Sequence, residues 1–308
     1  MQSTTTTVTA SDGIPLHTMR WLPEGPVKAV VQVAHGMAEH SGRYARLAEA
    51  LTGAGYAVYA TDHRGHGSTA AEEDHGYFAD KDGWSTVVED VRAVTRFAQD
   101  EHPGLPVFLL GHSMGSFLAR AYVIEGSRDL AGLILSGTAG DPGLLGKAGL
   151  AIAYAEARVR GRRHVSPLLD KLTFGQYNSA FKPNRTGFDW LSRDDDEVDL
   201  YVADAMCGRT FTSGFFTDLL GGLGGINDRR RVARVRRDLP ILLVSGDQDP
   251  VGANGKGVRA VAEQFRSVGV VDVTCTLYPG ARHEIFNETN RDEITSDVVA
   301  WLDAHLPA

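Results

Sequence analysis

Cysteine is almost absent. Cys207 and Cys275 are the two in 308 residues, too few for a disulfide framework and too far apart for a close-spaced metal or redox motif. Long apolar runs are missing as well: no stretch approaches the ~18 residues that suggest a membrane span. The first residues, MQSTTTTVTASDG, show neither the basic nor the apolar region of a secretory leader. Positive charge is in deficit, with 31 Lys and Arg against 39 Asp and Glu and a formal net charge of −8. An acidic chain works against phosphate-backbone contacts, so nucleic acid is not an expected partner. These shortages describe a water-soluble protein of a reducing compartment, and the cytoplasm is the expected location. Apolar residues, at 43%, suffice for a large buried core.

Short apolar runs alternate with longer helical patterns. Strands are expected at 16–21, 29–33, 56–60, 107–110, 130–135, 241–244 and 271–277. Several are apolar almost throughout, as parallel strands covered on both faces are. Helices are expected at 44–51, 85–99 (with Ser85 as N-cap), 114–124, 258–268 and 293–305. The alternation predicts an α/β fold with a mostly parallel central sheet flanked by helices, its early strands antiparallel. Residues 140–238 interrupt it with helical patterns, clustered Gly and basic residues, and an acidic run at 194–197. A stretch of ~100 residues is too long for a loop. It reads as an inserted helical cap, leaving residues 1–139 and 239–308 as the core domain.

The chemistry centres on Gly111-His112-Ser113-Met114-Gly115. The pentapeptide follows an apolar run and opens a helical pattern, which is the strand, sharp turn and helix of a nucleophile elbow. A serine hydroxyl needs a base within hydrogen-bond reach, and the order serine, acid, histidine predicts both partners after later strands. The run at 241–244 leads into Ser245-Gly246-Asp247-Gln248-Asp249-Pro250, and the run at 271–277 leads to His283. Asp249 lies further from its strand and suits an orienting carboxylate; Asp247, the competing acid, suits a turn brace. The oxyanion hole needs two backbone donors. Met114 follows the nucleophile, and Met37 lies in the loop after an early strand. His35, His40, His63 and His66 occupy glycine-rich turns without helical His-x-x-x-His spacing or a cysteine partner, so no metal is expected.

Five segments carry a resemblance to a known family: HGMAEHSGRY at 35–44, DHRGHG at 62–67, GHSMG at 111–115, SGDQDP at 245–250 and ARHEIFNE at 281–288. In order and spacing the chain resembles the monoacylglycerol lipase and lysophospholipase branch of the α/β-hydrolases. The resemblance implies a carboxylester hydrolase acting on monoacyl lipids through an acyl-enzyme at Ser113, with no cofactor. It favours Asp249 over Asp247 and supports Met37 as an oxyanion donor. It also implies that Glu39 and Arg43 lie near the alcohol end of the substrate. Where some relatives carry a second histidine facing the alcohol, this chain has Phe286, a departure that loosens the expected monoglyceride preference.

Within the cap, the apolar stretch containing Leu144, Leu145, Ile152 and Tyr154 is expected to line an acyl pocket, with Leu145 and Ile152 as contacts. Arg158, Arg160, Arg162, Arg163 and His164 follow it and suit anionic head groups or transient contact with a membrane or micelle surface; the competing reading is a core-facing helix with a solvated basic end. A short-chain carboxylesterase or a proline-type aminopeptidase, the latter using Asp194, Asp195, Asp196 or Glu197 to hold an amine, would fit the same core. A catalytically silent binding protein on this fold need not keep the three side chains.

Overall fold

The computed structural model describes residues 1–307. Eight strands form one sheet: β1 Gln2–Thr9, β2 Pro15–Leu22, β3 Ala29–Ala34, β4 Tyr56–Thr61, β5 Val107–His112, β6 Gly132–Ser136, β7 Ile241–Gly246 and β8 Val273–Tyr278. Their order is β1-β2-β4-β3-β5-β6-β7-β8. The β1/β2 and β2/β4 pairs are antiparallel and the remaining pairs parallel. Every residue of β3, β4, β5, β6 and β7 is buried, which is why these strands read as continuous apolar runs. Alternate side chains feed two cores. Val30, Leu109, Leu133 and Leu243 pack on one face of the sheet, and Val31, Leu110, Ile134 and Leu242 on the other.

The strand missing from the sequence reading is β1. Its run QSTTTTVT exposes all but Thr6 and Val8, so it carries little apolar signal, although Thr is β-branched and favours strands. The turn that pairs it with β2 contains Asp12-Gly13, with Gly13 at φ 90°. That dipeptide is the hairpin signal that was available.

The helices are α1 Ala45–Gly53, α2 Gly83–Glu101, α3 Met114–Glu125, α4 Gly143–Arg160, α5 Pro167–Phe174, α6 Asp195–Ala203, α7 Ser213–Asn227, α8 Arg229–Val232, α9 Lys256–Ser267 and α10 Arg291–Ala304. Ser85 does not cap α2: the helix starts at Gly83, and Ser85 Oγ donates to the Asp82 carbonyl at 3.0 Å. Five helices, α4 to α8, and no strand of the sheet lie between β6 and β7 among the described residues. Of these, α7 presses Phe215, Phe216, Leu219 and Ile226 into the core. The opposite holds for α4, where Ala153 is the single buried residue. No helix among the described residues is long and apolar enough to cross a membrane.

The start of this insertion and the end of α7 meet at one side chain. Arg120 on α3, fully buried, donates to Ala139 O just after β6 at 2.8 Å, to Ile226 O and Asn227 Oδ1 at the end of α7 at 3.2 and 2.8 Å, and to Gln264 Oε1 on α9 at 3.2 Å.

Backbone also meets backbone where α3 leaves β5. A Cβ at Gly115 would overlap the Ala34 carbonyl, and one at Gly111 the Gly115 carbonyl. Gly115→Ala is therefore expected to cost at least ~3 kcal/mol, read as a lower urea midpoint or loss of soluble protein. Gly221, within α7, has open space around its Cβ position, and Gly221→Ala should gain up to ~1 kcal/mol in the same titration.

Candidate active site

Three strand ends deliver Ser113, Asp249 and His283, the residues expected to form a triad. Ser113 follows β5 and sits at φ 51°, ψ −119°, a conformation costing a non-glycine residue ~1–3 kcal/mol. Its amide donates to Ser136 O at 2.9 Å, and its carbonyl accepts from Ser116 Oγ at 2.6 Å. These bonds over-determine the turn and hold the serine at the head of α3.

Asp249 follows β7 and is fully buried. Its Oδ1 accepts from the Val251 amide at 2.9 Å, while Oδ2 accepts from Ser245 Oγ at 3.2 Å and lies 2.9 Å from His283 Nδ1. Asp247 instead braces the loop, accepting from the Gly280 amide at 2.8 Å. The structure thus brings Asp249, and not Asp247, to the histidine. A Cβ at Gly246 would overlap the Ala281 carbonyl, so close approach of these two loops requires glycine there.

His283 follows β8, buried between Trp190 and His112, whose rings lie 5.1 and 4.8 Å away. Burial alone would pull its imidazole down, but the Asp249 carboxylate more than offsets this and holds it above the ordinary histidine value. With Nδ1 committed to Asp249, Nε2 is the nitrogen left for Ser113. The two residues line one cavity, while Ser113 Oγ closes no hydrogen bond among the described residues. Catalytic hydrogen bonds of this kind are often long without substrate.

Met37 and Met114 occupy the loop after β3 and the first position of α3. Neither amide has an acceptor among the described residues. The loop carrying Met37 is held from below by a buried histidine. The His63 amide donates to His35 Nε2 at 3.0 Å, so the His35 proton sits on Nδ1 and is donated to Gly36 O at 2.7 Å. Burial holds His35 well below its ordinary value, so it stays neutral. His63 and His66 pack beside it, ring centroids 4.2 and 5.2 Å away, and burial lowers them to about 4 and about 3. His40 stands apart, bonded through Nε2 to Asp204 at 2.8 Å while Nδ1 accepts from the Gly42 amide at 3.2 Å. With Cys207 it forms a potential donor set within 4.8 Å, a grouping that sequence spacing did not reveal.

Glu39 lines the cavity, but Gly36 N, Tyr44 OH and Arg43 Nη1 occupy its oxygens at 2.5, 2.8 and 3.0 Å. Arg43 lies behind the wall, in a small crevice shared with Glu39, Glu284 and Phe286. Phe286 is packed there and in the core, and does not line the main cavity.

The main cavity encloses about 570 Å³ of empty space, part of it open to solvent. Its apolar lining is Phe174, Phe188, Trp190, Leu191 and Tyr201 from the insertion. Leu145 and Ile152, expected there, are 85% and 38% exposed on α4 and do not line it. The face of α4 that reads as apolar in sequence points to solvent, while the lining comes largely from the irregular chain around 188–191, which has no period to recognise. Arg160, Arg162 and Arg163 are engaged by Glu156, Asp218 and Asp74 at 3.9, 2.8 and 2.7 Å.

Residues 25–290 match the Hydrolase_4 family, described as serine aminopeptidase, S33. The chain is 33% identical to a monoacylglycerol lipase of Mycolicibacterium smegmatis over 291 residues, covering 93% of this chain and 92% of the relative. It is 32% identical to a monoglyceride lipase of Homo sapiens over 293 residues, covering 94% and 85%. A carboxyl esterase from Bacillus coagulans solved with glycerol superposes at TM-score 0.92, with 30% identity and all of both chains covered. A monoglyceride lipase variant from Saccharomyces cerevisiae superposes at 0.76 with 23% identity, covering 100% and 96%, which speaks for the fold alone. With serine, aspartate and histidine at the ends of β5, β7 and β8 of such a sheet, the chain belongs to this serine hydrolase family of the α/β-hydrolases, in its monoacylglycerol-lipase-like branch.

Proposed function

We propose that this protein hydrolyses monoacyl lipid esters, with Ser113 as nucleophile, His283 as general base and Asp249 as its orienting acid. The observation that carries the reading is the buried Asp249–His283 pair opening onto the same aromatic-walled cavity as the strained Ser113. Relatives named monoacylglycerol lipase support it independently.

In the first half-reaction the Ser113 Oγ proton passes to His283 Nε2 as the oxygen bonds to the ester carbonyl. The carbonyl oxygen, now an anion, takes the free amides of Met37 and Met114, each worth ~3 kcal/mol. Collapse breaks the bond to the alcohol oxygen, which leaves with the proton from His283. Water then repeats the sequence on the acyl-enzyme and releases the fatty acid. Asp249 keeps its negative charge throughout and stabilises the imidazolium.

Residues 140–238 act as the cap over the core formed by 1–139 and 239–308. The acyl chain lies against Phe174, Phe188, Trp190 and Leu191. Leu144, Leu145 and Val159 stand 82%, 85% and 84% exposed on α4, with Leu168 and Leu172 exposed on α5. Such an apolar surface suits transient contact with a membrane or micelle. Action in the cytoplasm fits Cys207 and Cys275, both free thiols. The aminopeptidase reading has less support: Asp194 bonds Arg291 and Glu197 bonds Arg46, both at 2.6 Å, and none of residues 194–197 lines the cavity.

Ser113→Ala should abolish fluorophosphonate labelling and lower kcat on a monoacylglycerol by at least ~10³-fold. Asp249→Asn should lose ~10⁴-fold, while Asp247→Asn should stay within about tenfold; the reverse pattern would remove Asp249 from its role. Because the base works only when neutral and its pKa is raised, kcat/KM should fall as pH drops through a value above ~6.5. A pH–rate profile with its acid limb below ~6 would contradict this. Leu144→Glu combined with Val159→Glu should weaken co-sedimentation with phospholipid vesicles and leave turnover of a soluble p-nitrophenyl ester intact.

A further inference from the structure

One buried ionisable side chain beside the triad takes no part in the mechanism above. Glu284 follows the histidine directly, is 6% exposed and lines the main cavity. Its two oxygens accept a bidentate pair from Arg43 at 2.6 and 2.7 Å, and Asn287 Nδ2 donates to it at 3.0 Å. Burial pushes the Glu284 carboxyl up, but the Arg43 guanidinium outweighs that and holds it at about 2, so it is ionised. Arg43 also donates to Glu39 at 3.0 Å and lies over the Tyr201 ring at 4.8 Å.

The consequence is an asymmetry of charge across the wall. Both carboxylates of the cluster line the main cavity, whereas the guanidinium between them lies in the crevice behind. A further carboxylate, Asp170, faces the same cavity. Its one arginine, Arg209, already pairs with Glu72. His112, next to the nucleophile, is kept neutral by burial, its pKa pulled down to about 3. His283, partnered by Asp249, and Tyr201, kept neutral by burial, are the remaining titratable groups. No unpaired cation among the described residues therefore faces the polar end of the cavity.

We propose that Glu284 is a specificity-determining residue. By fixing Arg43 into the wall, it makes the alcohol side of the site accept a neutral polyol or a cationic alcohol and reject one bearing a phosphate. Glycerol esters are then substrates, and anionic lysophospholipids are not. A phosphate needs a guanidinium or ammonium free to pair with it, and burying it beside carboxylates whose one guanidinium is already engaged is unfavourable. The idea rests on the monoacyl-ester reading above and decides between two head-group classes that the reading leaves together.

The test compares three monoacyl esters of one chain length in the same neutral-detergent micelles: a 1-acylglycerol, an acylcholine and a 1-acylglycerol 3-phosphate. For the wild type, kcat/KM on the neutral and cationic esters should exceed that on the phosphate ester by at least about tenfold, equivalent to ~1.4 kcal/mol. Glu284→Gln releases the charge on Arg43 and should narrow the neutral-to-anionic ratio by about fivefold or more, chiefly through KM for the phosphate ester. Equal wild-type rates on neutral and anionic esters would overturn the proposal, as would an unchanged ratio in a folded Glu284→Gln protein. If that variant shows no cooperative melt, the wild-type comparison decides alone. Failure to cleave any of the three, with fluorophosphonate still labelling Ser113, would overturn the monoacyl-ester reading and this proposal with it.

Discussion

Ser113 is held at positive φ because β5 and α3 pass their neighbours at backbone distance. At Gly115 the helix lies against the Ala34 carbonyl of β3, and at Gly111 the strand lies against the helix. Without side chains at these two positions, the turn between them can be sharp enough to lift a hydroxyl clear of the sheet. The same device recurs at Gly246, where the loop after β7 touches the loop after β8. That contact brings a carboxylate at 249 to an imidazole at 283 across 34 residues of chain. Catalytic geometry here is a product of missing Cβ atoms as much as of the groups that react.

Around this frame the protein buries charge, and each buried group is paired by an opposite charge or engaged by hydrogen bonds. Asp249 is fully enclosed, yet three donors face it. Glu39, Arg43 and Glu284 form a second enclosed set. Desolvating ions costs several kcal/mol apiece unless partners repay it, so two such clusters this close to one cavity are weak evidence for stability. One raises the basicity of His283; the other holds Arg43 between two carboxylates.

The strands that lead to Ser113 and Asp249 could be read from sequence because their burial is two-sided, which leaves almost no polar residues in VFLLGH or ILLVSG. Ser113 followed from its position after such a strand, and His283 from its place after the last apolar run, although β8 itself is mostly half-buried. Asp247 and Asp249 sit two residues apart, and only the direction each carboxylate takes separates them. Glu284 went unread because its neighbour explained the motif. The lining of the cavity was misplaced for a different reason. Sequence reading assumed that the apolar side of α4 faces inward, but that helix buries Ala153 alone. Phe188, Trp190 and Leu191 lie in chain without regular structure, held by bonds such as the Glu284 amide to Leu191 O at 2.7 Å. Those tertiary contacts leave no periodic trace.

Arg120 belongs to the helix that opens with Met114, and it grips the chain both where it departs from the sheet at residue 139 and where α7 ends at residues 226–227. Its partners are all neutral oxygens, and burial lowers its pKa to about 9. The start of the excursion and the end of α7 are thereby riveted to the helix that follows Ser113. Helices α4 to α6 hang between those rivets, so Ser113 takes its position from the sheet and α3 and not from them.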